Sequence, residues 1–411
     1  MSMSRTALES LDRDDPLAPL RDAFDLPPGI IYLDGNSLGV LPKATRARMV
    51  RAIEQEWGRG LIRSWNEAGW IDLPTRVGGA IAGLIGADPD EVIVADSTSV
   101  NIFKLAAAAV RLRPGRRIIL SEKGNFPTDL YILQGLSTFL GDTVELRTVS
   151  ADDLPGALDE EVALLLLTQV HYKTGRMHDM ADLTARAHAV GALTLWDLSH
   201  SAGALAVDLN GAGADFAVGC GYKYLNGGPG APAFLFVAQR HQDDAIQPLS
   251  GWMGHADPFA FDDGYRPAAG IRRHLCGTPS ILGLSALEEG VAILARADMG
   301  LIRQKSRRMG ALFLELVQTM CGGCFEMLGP RNPDERGSHI SLSHPDGYAI
   351  MQALIARGVI GDFRAPDALR FGFTPLYLRH VDLWDAVAHL ADIMQTGEYR
   401  QDRFQTKAAV T

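Results

Sequence analysis

The chain has 411 residues, which is enough for two domains with a large core. Hydrophobic residues make up 47% of it and charged residues 21%, as in ordinary globular proteins, and the formal net charge is -10. This excess of negative charge disfavours nucleic acids and anionic membrane surfaces as partners, because both bind basic surfaces.

Neither a membrane span nor a secretory signal is visible in the sequence. The longest clean apolar run, VALLLL at 162–167, is strand-sized and well short of the roughly 18 residues that cross a bilayer. The N-terminus lacks an apolar signal segment, and four cysteines are too few to form a disulfide scaffold in a chain of this length. We therefore expect a cytoplasmic protein.

Along the chain, the pattern changes from irregular to alternating and then to mainly helical. The first forty residues read as a turn-rich segment that contains YLDGNSLG (32–39), and a helical pattern covers 44–60. Apolar strands then alternate with helices. The predicted strands are 91–96, 116–122, 162–170, 192–199 and 215–223, and the predicted helices between them are 99–112, 127–140 and 180–191. Long helices follow residue 282, then strands at 338–344 and 367–377 and a helix at 381–396.

Strands that alternate with helices predict an α/β fold with a mainly parallel sheet covered on both faces. We expect three parts. Residues 1–45 form an N-terminal segment that packs with the small domain, 46–282 form a large domain, and 283–411 form a small α+β C-terminal domain. In open α/β sheets, ligands bind at the carboxyl ends of the strands, so chemistry is expected there.

The strand at 91–96 is followed by Ser97, Thr98 and Ser99, which open a helix. The unpaired N–H groups and the positive dipole end of such a helix form an anion site. Plain helix capping is the alternative, because these residue types are common caps. Neither the glycine pattern of dinucleotide-binding sites nor a P-loop is present.

Two further strand ends carry ionisable side chains. Asp197 ends one strand and could hold a cationic ring nitrogen or cap the following turn, and His200 lies three residues on. Lys223 ends the next strand within GCGYKYLNGGPG (219–230). An amine in a dry, aromatic-lined pocket becomes a nucleophile and is the usual partner of an aldehyde. A solvated loop lysine is the alternative, but it leaves the flanking Tyr222, Tyr224 and glycines unexplained.

An anion site, a carboxylate for a ring nitrogen and a nucleophilic amine together fit a single ligand. Pyridoxal 5'-phosphate has a phosphate, a pyridine nitrogen and an aldehyde. The three strand ends therefore predict a pyridoxal phosphate site in which Lys223 forms a Schiff base and the glycines allow the backbone to come close.

Nine stretches carry a family resemblance in order along nearly the whole chain. They are YLDGNSLG (32–39), DSTSVN (96–101), NFPTD (125–129), QVHYKTG (169–175), WDLSHSAGA (196–204), GCGYKYLNGGPG (219–230), GWMGH (251–255), GTPS (277–280) and LRFGFTPLY (369–377). In these stretches the chain resembles the fold-type-I pyridoxal phosphate enzymes of the class V aminotransferase branch, and most closely the kynureninase family. The resemblance implies an aminotransferase-like large domain with a seven-stranded, mainly parallel sheet flanked by helices.

The resemblance also implies roles for residues around the cofactor. Thr98 and Ser99 would hold the phosphate, and Tyr222 would donate to it. Asp197 would pair with the pyridine nitrogen, and Lys223 would be the Schiff-base lysine. Tyr222 is also a candidate proton donor in the carbonyl steps, because a phenol near a cationic cofactor can have a lowered pKa.

Four more residues would border the cofactor ring by the same resemblance. Phe126 would stack on the ring, and Asp129 would bond near its phenolic oxygen. Thr168 would border the ring, and His200 would lie at its edge.

Five residues would complete the site by the same resemblance. Trp252 and Thr278 would reach the phosphate from the neighbouring subunit, which implies a homodimer. Arg370 would clamp the substrate α-carboxylate with its planar fork, and Asn36 and Trp65 would bind the substrate.

The reaction that the resemblance implies is the hydrolysis of L-kynurenine to anthranilate and L-alanine in tryptophan degradation. The 3-hydroxy substrate is an equal possibility, and no metal is expected. A cysteine desulfurase or an aminotransferase is the nearest rival interpretation. However, a desulfurase needs a cysteine shortly before the carboxylate-binding arginine, and here the last cysteine is Cys324.

Two rival interpretations lie further from this reaction. A metallohydrolase would use His171, His178, Asp197 and His200, but it leaves Lys223 and the anion site unexplained. A non-catalytic regulator would bind the cofactor without turning over a substrate. Regulators of that kind normally carry an extra DNA-binding domain, for which the chain has neither spare length nor a basic segment.

Overall fold

The computed structural model describes residues 4–407 and contains three β-sheets within them. The strands are β1 (Ile31–Tyr32), β2 (Val92–Val94), β3 (Ile118–Glu122), β4 (Glu145–Val149), β5 (Val162–Thr168), β6 (Leu193–Asp197), β7 (Phe216–Gly219), β8 (Phe234–Val237), β9 (Glu326–Leu328), β10 (His339–Ser343), β11 (Val359–Ile360), β12 (Asp362–Arg364) and β13 (Ala368–Gly372). The α-helices are α1 (Arg5–Arg13), α2 (Lys43–Arg51), α3 (Ser64–Glu67), α4 (Leu73–Ala82), α5 (Thr98–Leu112), α6 (Pro127–Phe139), α7 (Leu154–Ala157), α8 (Met180–Ala189), α9 (Ile281–Leu294), α10 (Met299–Cys321), α11 (Gly347–Ala356) and α12 (His380–Thr396). Among residues 4–407, no helix combines the length and apolar character needed to cross a membrane.

The large sheet has seven strands in the order β2-β8-β7-β6-β5-β3-β4. Six strands of this sheet run in one direction, and β8 alone is reversed, so that it pairs antiparallel with β7 and with β2. The predicted mainly parallel sheet is therefore confirmed. Every strand predicted for this sheet is present, although most are shorter than predicted. The sequence analysis did not predict β4 and β8.

Both faces of this sheet are buried. In β5, Leu165 and Leu167 belong to the larger hydrophobic core, whereas Leu164 and Leu166 belong to a second core on the opposite face. Side chains of successive strand residues point to opposite faces, so the continuous apolar run supplies both cores. Burial of each leucine side chain stabilises the fold by about 2 kcal/mol.

The C-terminal part has a four-stranded antiparallel sheet in the order β12-β13-β10-β9. Strand β1 pairs in parallel with β11, so Ile31 lies opposite Val359. The predicted division of the chain at residues 45 and 282 stays a prediction.

The expectation of an irregular N-terminus is wrong for residues 5–13, which form helix α1. Its N-cap is Ser4, whose Oγ accepts a hydrogen bond from the Ala7 N–H. The helix buries only Leu8, so no apolar repeat marks it in the sequence. An ion pair between Arg5 and Asp385 of α12 ties it to the C-terminal part.

The helical stretch predicted for 44–60 is present in two forms. Helix α2 continues into a π-helical segment at Ala52–Gly60. The backbone leaves this segment at Leu61, which has a φ of 55°, in the left-handed region that non-glycine residues seldom adopt. Ile62 next to it is largely exposed.

One buried carboxylate joins three elements around the large sheet. An oxygen of Asp215 accepts from the Thr194 N–H on β6 at 2.8 Å and lies 2.8 Å from His188 Nε2 on α8. Its other oxygen lies 2.7 Å from Arg240 Nη2 and 2.7 Å from His241 Nε2. Burial opposes ionisation of this carboxyl, but the hydrogen bonds from His188 and His241 outweigh it and hold its pKa well below the usual range.

We predict that Asp215→Asn lowers the free energy of unfolding by about 3 kcal/mol at pH 7, because the buried site loses its negative charge while Arg240 keeps its positive charge. Urea denaturation measures this. The folded pKa of Asp215 lies below its usual 3.8, so its stabilisation is complete above about pH 4 and is lost as the pH falls further. The difference between wild type and variant should shrink accordingly in acid.

The matched control is Asp262→Asn, because Asp262 is exposed and its ion pair with Arg266, four residues on, is 3.6 Å long. This change should cost less than about 0.5 kcal/mol. A destabilisation by Asp215→Asn no larger than that of the control would contradict the structural role given to Asp215.

Candidate active site

A cavity of about 230 Å³ lies at the carboxyl ends of the parallel strands. The carboxyl ends of parallel strands meet at one edge of a sheet, so residues distant in sequence come together there. The residues that line the cavity are Thr98, Ser99, Phe126, Thr128, Asp129, Thr168, Asp197, Ser199, His200, Tyr222 and Lys223. Nine of them are residues that the sequence analysis assigned to the cofactor.

The start of helix α5 forms one wall of the cavity. Ser97 is the N-cap, and its Oγ accepts from the Val100 N–H at 3.4 Å. Thr98 and Ser99 form the first turn, at the positive end of a 15-residue helix. Backbone N–H groups, two hydroxyls and the helix dipole therefore converge where an anion such as a phosphate is stabilised.

A hydrogen-bonded network connects the ends of β3 and β5. The Asn125 side-chain oxygen accepts from Thr168 Oγ1 at 2.6 Å and from the Thr168 N–H at 3.2 Å. The Asn125 amide nitrogen donates to Asp129 Oδ2 at 3.2 Å. The network fixes the Asp129 carboxyl on the cavity wall.

Two buried carboxyl groups face the cavity with little compensating positive charge. Burial raises the pKa of Asp197, although the Ser199 N–H donates to its Oδ1 at 2.8 Å. Burial and the charge of Asp197 raise the pKa of Asp129 well above its usual range. A cationic ring nitrogen beside Asp197 would supply the missing counter-charge, so these residues fit a pyridinium group.

The Lys223 amine projects into the same cavity. Its Nζ lies 3.0 Å from His200 Nε2 and 5.9 Å from the ring centres of both Phe126 and Tyr222. Burial and the charge of Lys223 lower the pKa of His200 well below its usual range. His200 is therefore a neutral imidazole that can accept a hydrogen bond from the lysine.

Close backbone packing explains the glycines near Lys223. A side chain at Gly221 would clash with the Pro232 carbonyl oxygen, and one at Gly39 would clash with the Lys223 carbonyl oxygen. The Gly39 N–H also donates to the Tyr222 carbonyl at 2.7 Å. The YLDGNSLG segment therefore packs directly on the lysine loop, and its last glycine makes that contact possible.

Arg370 lies beside the cavity rather than in its lining. It is buried on β13, where its Nε donates to Asp362 Oδ1 at 2.7 Å and its Nη2 also pairs with that carboxylate. Nη1 donates to the Tyr172 carbonyl, and Nη2 donates to Ser37 Oγ at 3.1 Å. The Tyr172 ring lies edge-on to Phe126 at 5.3 Å, which connects Arg370 to the cavity wall.

The remaining predicted residues are not among those that line the cavity around Lys223. Asn36 is fully buried against Gly372, and Trp65 packs edge-on against Trp70 at 6.0 Å. Thr278 lines a separate cavity of about 270 Å³, together with Asp96.

Trp252 is half-exposed and lies edge-on to Phe259 at 5.6 Å. Its expected contact with the phosphate, like that of Thr278, requires a second subunit.

The structure shows what acts on the pKa of Tyr222 in the protein alone. Burial raises the pKa of this phenol, and Cys220 and Asp197 act in the same direction. The sequence analysis considered only a cationic cofactor, which acts in the opposite direction, and could not foresee how deeply the ring is buried. In the protein alone, Tyr222 therefore keeps its proton, and the lowered pKa expected beside a cationic cofactor stays a prediction.

A metal site receives no support from the geometry. His178 Nε2 lies 2.8 Å from Glu122 Oε2, His171 Nε2 lies 2.9 Å from the Gly124 carbonyl, and His200 faces Lys223. Within the described part of the chain, no three His, Cys, Asp or Glu side chains are grouped so that they could hold a metal ion.

Sequence reasoning missed three residues of this region. Asn125 and Tyr172 stand inside the stretches NFPTD and QVHYKTG, so closer attention to those stretches could have found them. No sequence motif marks Asp362, because its role depends on the pairing of β12 with β13 that places it opposite Arg370.

A mainly parallel seven-stranded sheet with a lysine, a carboxylate and a helix start at one edge defines a fold-type-I pyridoxal phosphate enzyme. Solved structures agree with this fold. A cysteine desulfurase from Thermococcus onnurineus has a TM-score of 0.78 at 20% identity, covering 92% of this chain and 98% of its own. A C-DES mutant with glycine covalently linked to its PLP cofactor has a TM-score of 0.80 at 17% identity, covering 90% and 99%.

Sequence comparison identifies the family. The kynureninases of Burkholderia mallei and Pseudomonas fluorescens are 56% and 52% identical over 408 residues, covering 98% of each chain. The family model of the kynureninase C-terminal domain matches residues 302–390. The chain belongs to the kynureninase family, as the resemblance indicated, and this supports the kynureninase interpretation over that of a cysteine desulfurase.

Proposed function

We propose that this chain hydrolyses the Cβ–Cγ bond of L-kynurenine, and also that of 3-hydroxykynurenine, in tryptophan degradation. Water is consumed, and the products are L-alanine and anthranilate or its 3-hydroxy form. The observation that carries the proposal is the cavity in which Lys223, Asp197 and the start of α5 converge, in a chain that is 56% identical to a curated kynureninase.

Each wall of the cavity suits one part of pyridoxal phosphate. Thr98, Ser99 and Tyr222 would hold the phosphate at the positive end of α5. Asp197 would face the ring nitrogen, and Lys223 would make the covalent link. When bound, the cofactor supplies a cationic ring that accepts the electron pair left on the substrate Cα.

Residues around the ring would orient it. Phe126 would cover one face of the ring, and Asp129 would meet its oxygen through the network that Asn125 and Thr168 fix. Neutral His200 would lie at the ring edge, within hydrogen-bond distance of Lys223 Nζ.

A free amine at Lys223 would be the base that removes the substrate Cα proton and that later protonates Cα. Neutral His200 can accept a hydrogen bond from this amine and so hold it in place. Tyr222 keeps its proton because burial raises its pKa. Its single O–H would donate to the phosphate in the resting site and would turn to the developing oxyanion in the carbonyl steps.

Arg370 would bind the substrate α-carboxylate through charge-assisted hydrogen bonds. Asn36 and Trp65 are assigned to the substrate as well. The contact between Gly39 and the lysine loop supports this placement, because it puts the segment that carries Asn36 next to Lys223.

The proposal includes a homodimer in which Trp252 and Thr278 of one subunit complete the phosphate site of the other. Exposed apolar residues support it, because soluble chains rarely leave large apolar patches uncovered. Phe259 and Phe261, close to Trp252 in sequence, are 57% and 77% exposed.

We place the enzyme in the cytoplasm, and the four free cysteines support a reducing compartment. The division into residues 1–45, 46–282 and 283–411 belongs to the same proposal. It is supported by the strand range 92–237 of the large sheet and 326–372 of the small sheet.

We predict that the purified chain, loaded with pyridoxal phosphate, releases anthranilate from L-kynurenine. Anthranilate fluorescence measures the product, and L-alanine should form in equal amount without added keto acid. Release of sulfide from cysteine would instead favour a desulfurase, and alanine formation that needs a keto acid would favour an aminotransferase. Retention of activity after treatment with a chelator is expected, and its loss would favour a metallohydrolase.

Lys223→Ala should abolish the visible absorbance of the covalently bound cofactor and leave no cofactor attached to the chain after borohydride reduction. The physical reason is that no other amine lines the cavity described around Asp197. Absorption spectra and peptide mass spectrometry check this result. Lys43→Ala changes an exposed lysine at the start of α2 and should keep the wild-type spectrum; an unchanged spectrum in the Lys223 variant would refute the assignment.

Asp197→Asn should fold normally but lower kcat by about 100-fold or more, because a neutral amide no longer favours the protonated ring nitrogen. Steady-state kinetics and circular dichroism measure the two effects. Asp182→Asn is the matched control, because Asp182 is an exposed carboxylate paired with Arg186 on its own helix. Turnover near the wild-type rate in the Asp197 variant would remove this residue from the cofactor site.

A further inference from the structure

Strand β12 brings two charged residues next to Arg370. Asp362 lies directly opposite Arg370 in the antiparallel pair of β12 and β13, and Arg364 lies two residues further along β12. Alternate residues of a strand share a face, so both charged side chains lie on the Arg370 side. Phe363 between them packs edge-on against Tyr348 on α11.

Most hydrogen-bond donors of Arg370 already have partners. Asp362 takes one edge of the guanidinium by bonding both Nε and Nη2. Nη1 donates to the Tyr172 carbonyl, and the second Nη2 proton is directed to Ser37 Oγ at 3.1 Å. The Arg370 side chain is only 2% exposed. The part of its guanidinium left for a carboxylate ligand is therefore little more than the edge at Nη2 that now contacts Ser37.

Arg364 is the accessible guanidinium of this group. Its Nη2 lies 2.7 Å from Asp362 Oδ2, and its side chain is 36% exposed. Its Nη1 donates to the carbonyl of the preceding Phe363, at 3.2 Å. Arg364 therefore keeps donors that can turn toward a ligand while Asp362 holds the side chain in place.

The charges in this group do not balance. Arg364 and Arg370 carry two positive charges, against one negative charge on Asp362. Burial and the charge of Asp362 raise the pKa of Asp34 to about 7, so below that pH Asp34 adds less than half a negative charge. Burial and the charge of Arg370 lower the pKa of Arg364, although the charge of Asp362 acts in the opposite direction.

The positive charges of this group act on the active site from outside the residues that line its cavity. The charges of Arg370 and Arg364 both contribute to lowering the pKa of His200, after burial, Lys223 and His339. Electrostatic range alone does not make a binding residue, but one hydrogen bond and one ring contact connect Arg370 to the active site. The hydrogen bond joins Arg370 to the Tyr172 backbone, and the ring contact joins Tyr172 to the Phe126 wall of the cavity.

We propose that Arg364 is a second cation of the substrate α-carboxylate subsite, held by Asp362 beside Arg370. The proposal rests on the function proposed above and deepens it. Arg370 supplies one hydrogen-bonding edge of its guanidinium, and Arg364 supplies a further donor. Asp362 balances only one of the two arginine charges, so one positive charge remains for the substrate carboxylate. A bound carboxylate brings the group to two positive and two negative charges.

The test compares two ligands that differ only in the group recognised. L-alanine carries the α-carboxylate and L-alaninamide lacks it, and each is titrated into the cofactor-loaded full chain while the visible absorbance of the cofactor is followed. Arg364→Gln should raise the Kd of alanine by about 10-fold and that of alaninamide by less than about twofold. Arg364→Lys should recover part of the alanine affinity, because it restores the charge but not the planar fork.

Arg186→Gln is the matched control, because Arg186 is an exposed arginine paired with Asp182 on α8. It should leave both affinities unchanged. If Arg364 only neutralises Asp362, the Gln variant should weaken both ligands equally or neither, and either result overturns the proposal. If the wild-type chain shows carboxylate-dependent binding that needs Arg364 but does not cleave kynurenine, the proposed function fails and this inference stands.

Discussion

The site depends on an uncompensated pair of buried carboxyl groups at the edge of the large sheet. Asp197 and Asp129 face one small cavity, and burial raises the pKa of both. The nearest cation, Lys223, must give up its charge to act as a nucleophile. The chain therefore creates a cavity that is electrostatically incomplete until a cationic group enters it, and the positive end of α5 on another wall favours an anionic group. Pyridoxal phosphate carries both.

The cofactor cavity could be predicted from the sequence because the carboxyl ends of parallel strands always lie at the same edge of a sheet. Each apolar run ends where its strand ends, so the polar residues after 94, 168, 197 and 219 necessarily meet at one edge. The same reasoning fails where position depends on antiparallel pairing. The pairing that brings Asp362 to Arg370 leaves no local pattern in the sequence. Strand β8 is marked by the apolar run FLFV at 234–237, but nothing in that run shows that the strand is reversed. Helix α1 was missed because it buries a single leucine.

The N-terminal segment connects the two halves of the site. Strand β1 adds to β11 next to the small sheet, while Gly39 a few residues later packs on the loop of Lys223. Between them, Ser37 bonds both Asp362 and Arg370. A shift of the small sheet would therefore displace both the arginines and the lysine loop, because YLDGNSLG contacts all of them. These contacts are the structural role of that segment.

The chemistry of the cavity separates this chain from desulfurases that share its fold. A desulfurase attacks its substrate with a thiolate, which requires an accessible cysteine of modest pKa. Burial raises the pKa of Cys220 and of Cys276, and Cys321 and Cys324 lie at and just after the end of the long helix α10, far from β13 in sequence. None of the four cysteines lines the cavity around Lys223. The same sheet edge that serves sulfur transfer elsewhere is here surrounded by Asn, Thr, Tyr and Arg side chains. Side chains of these types bind carbonyl and carboxylate oxygens, the groups on which hydrolysis of a γ-keto amino acid depends.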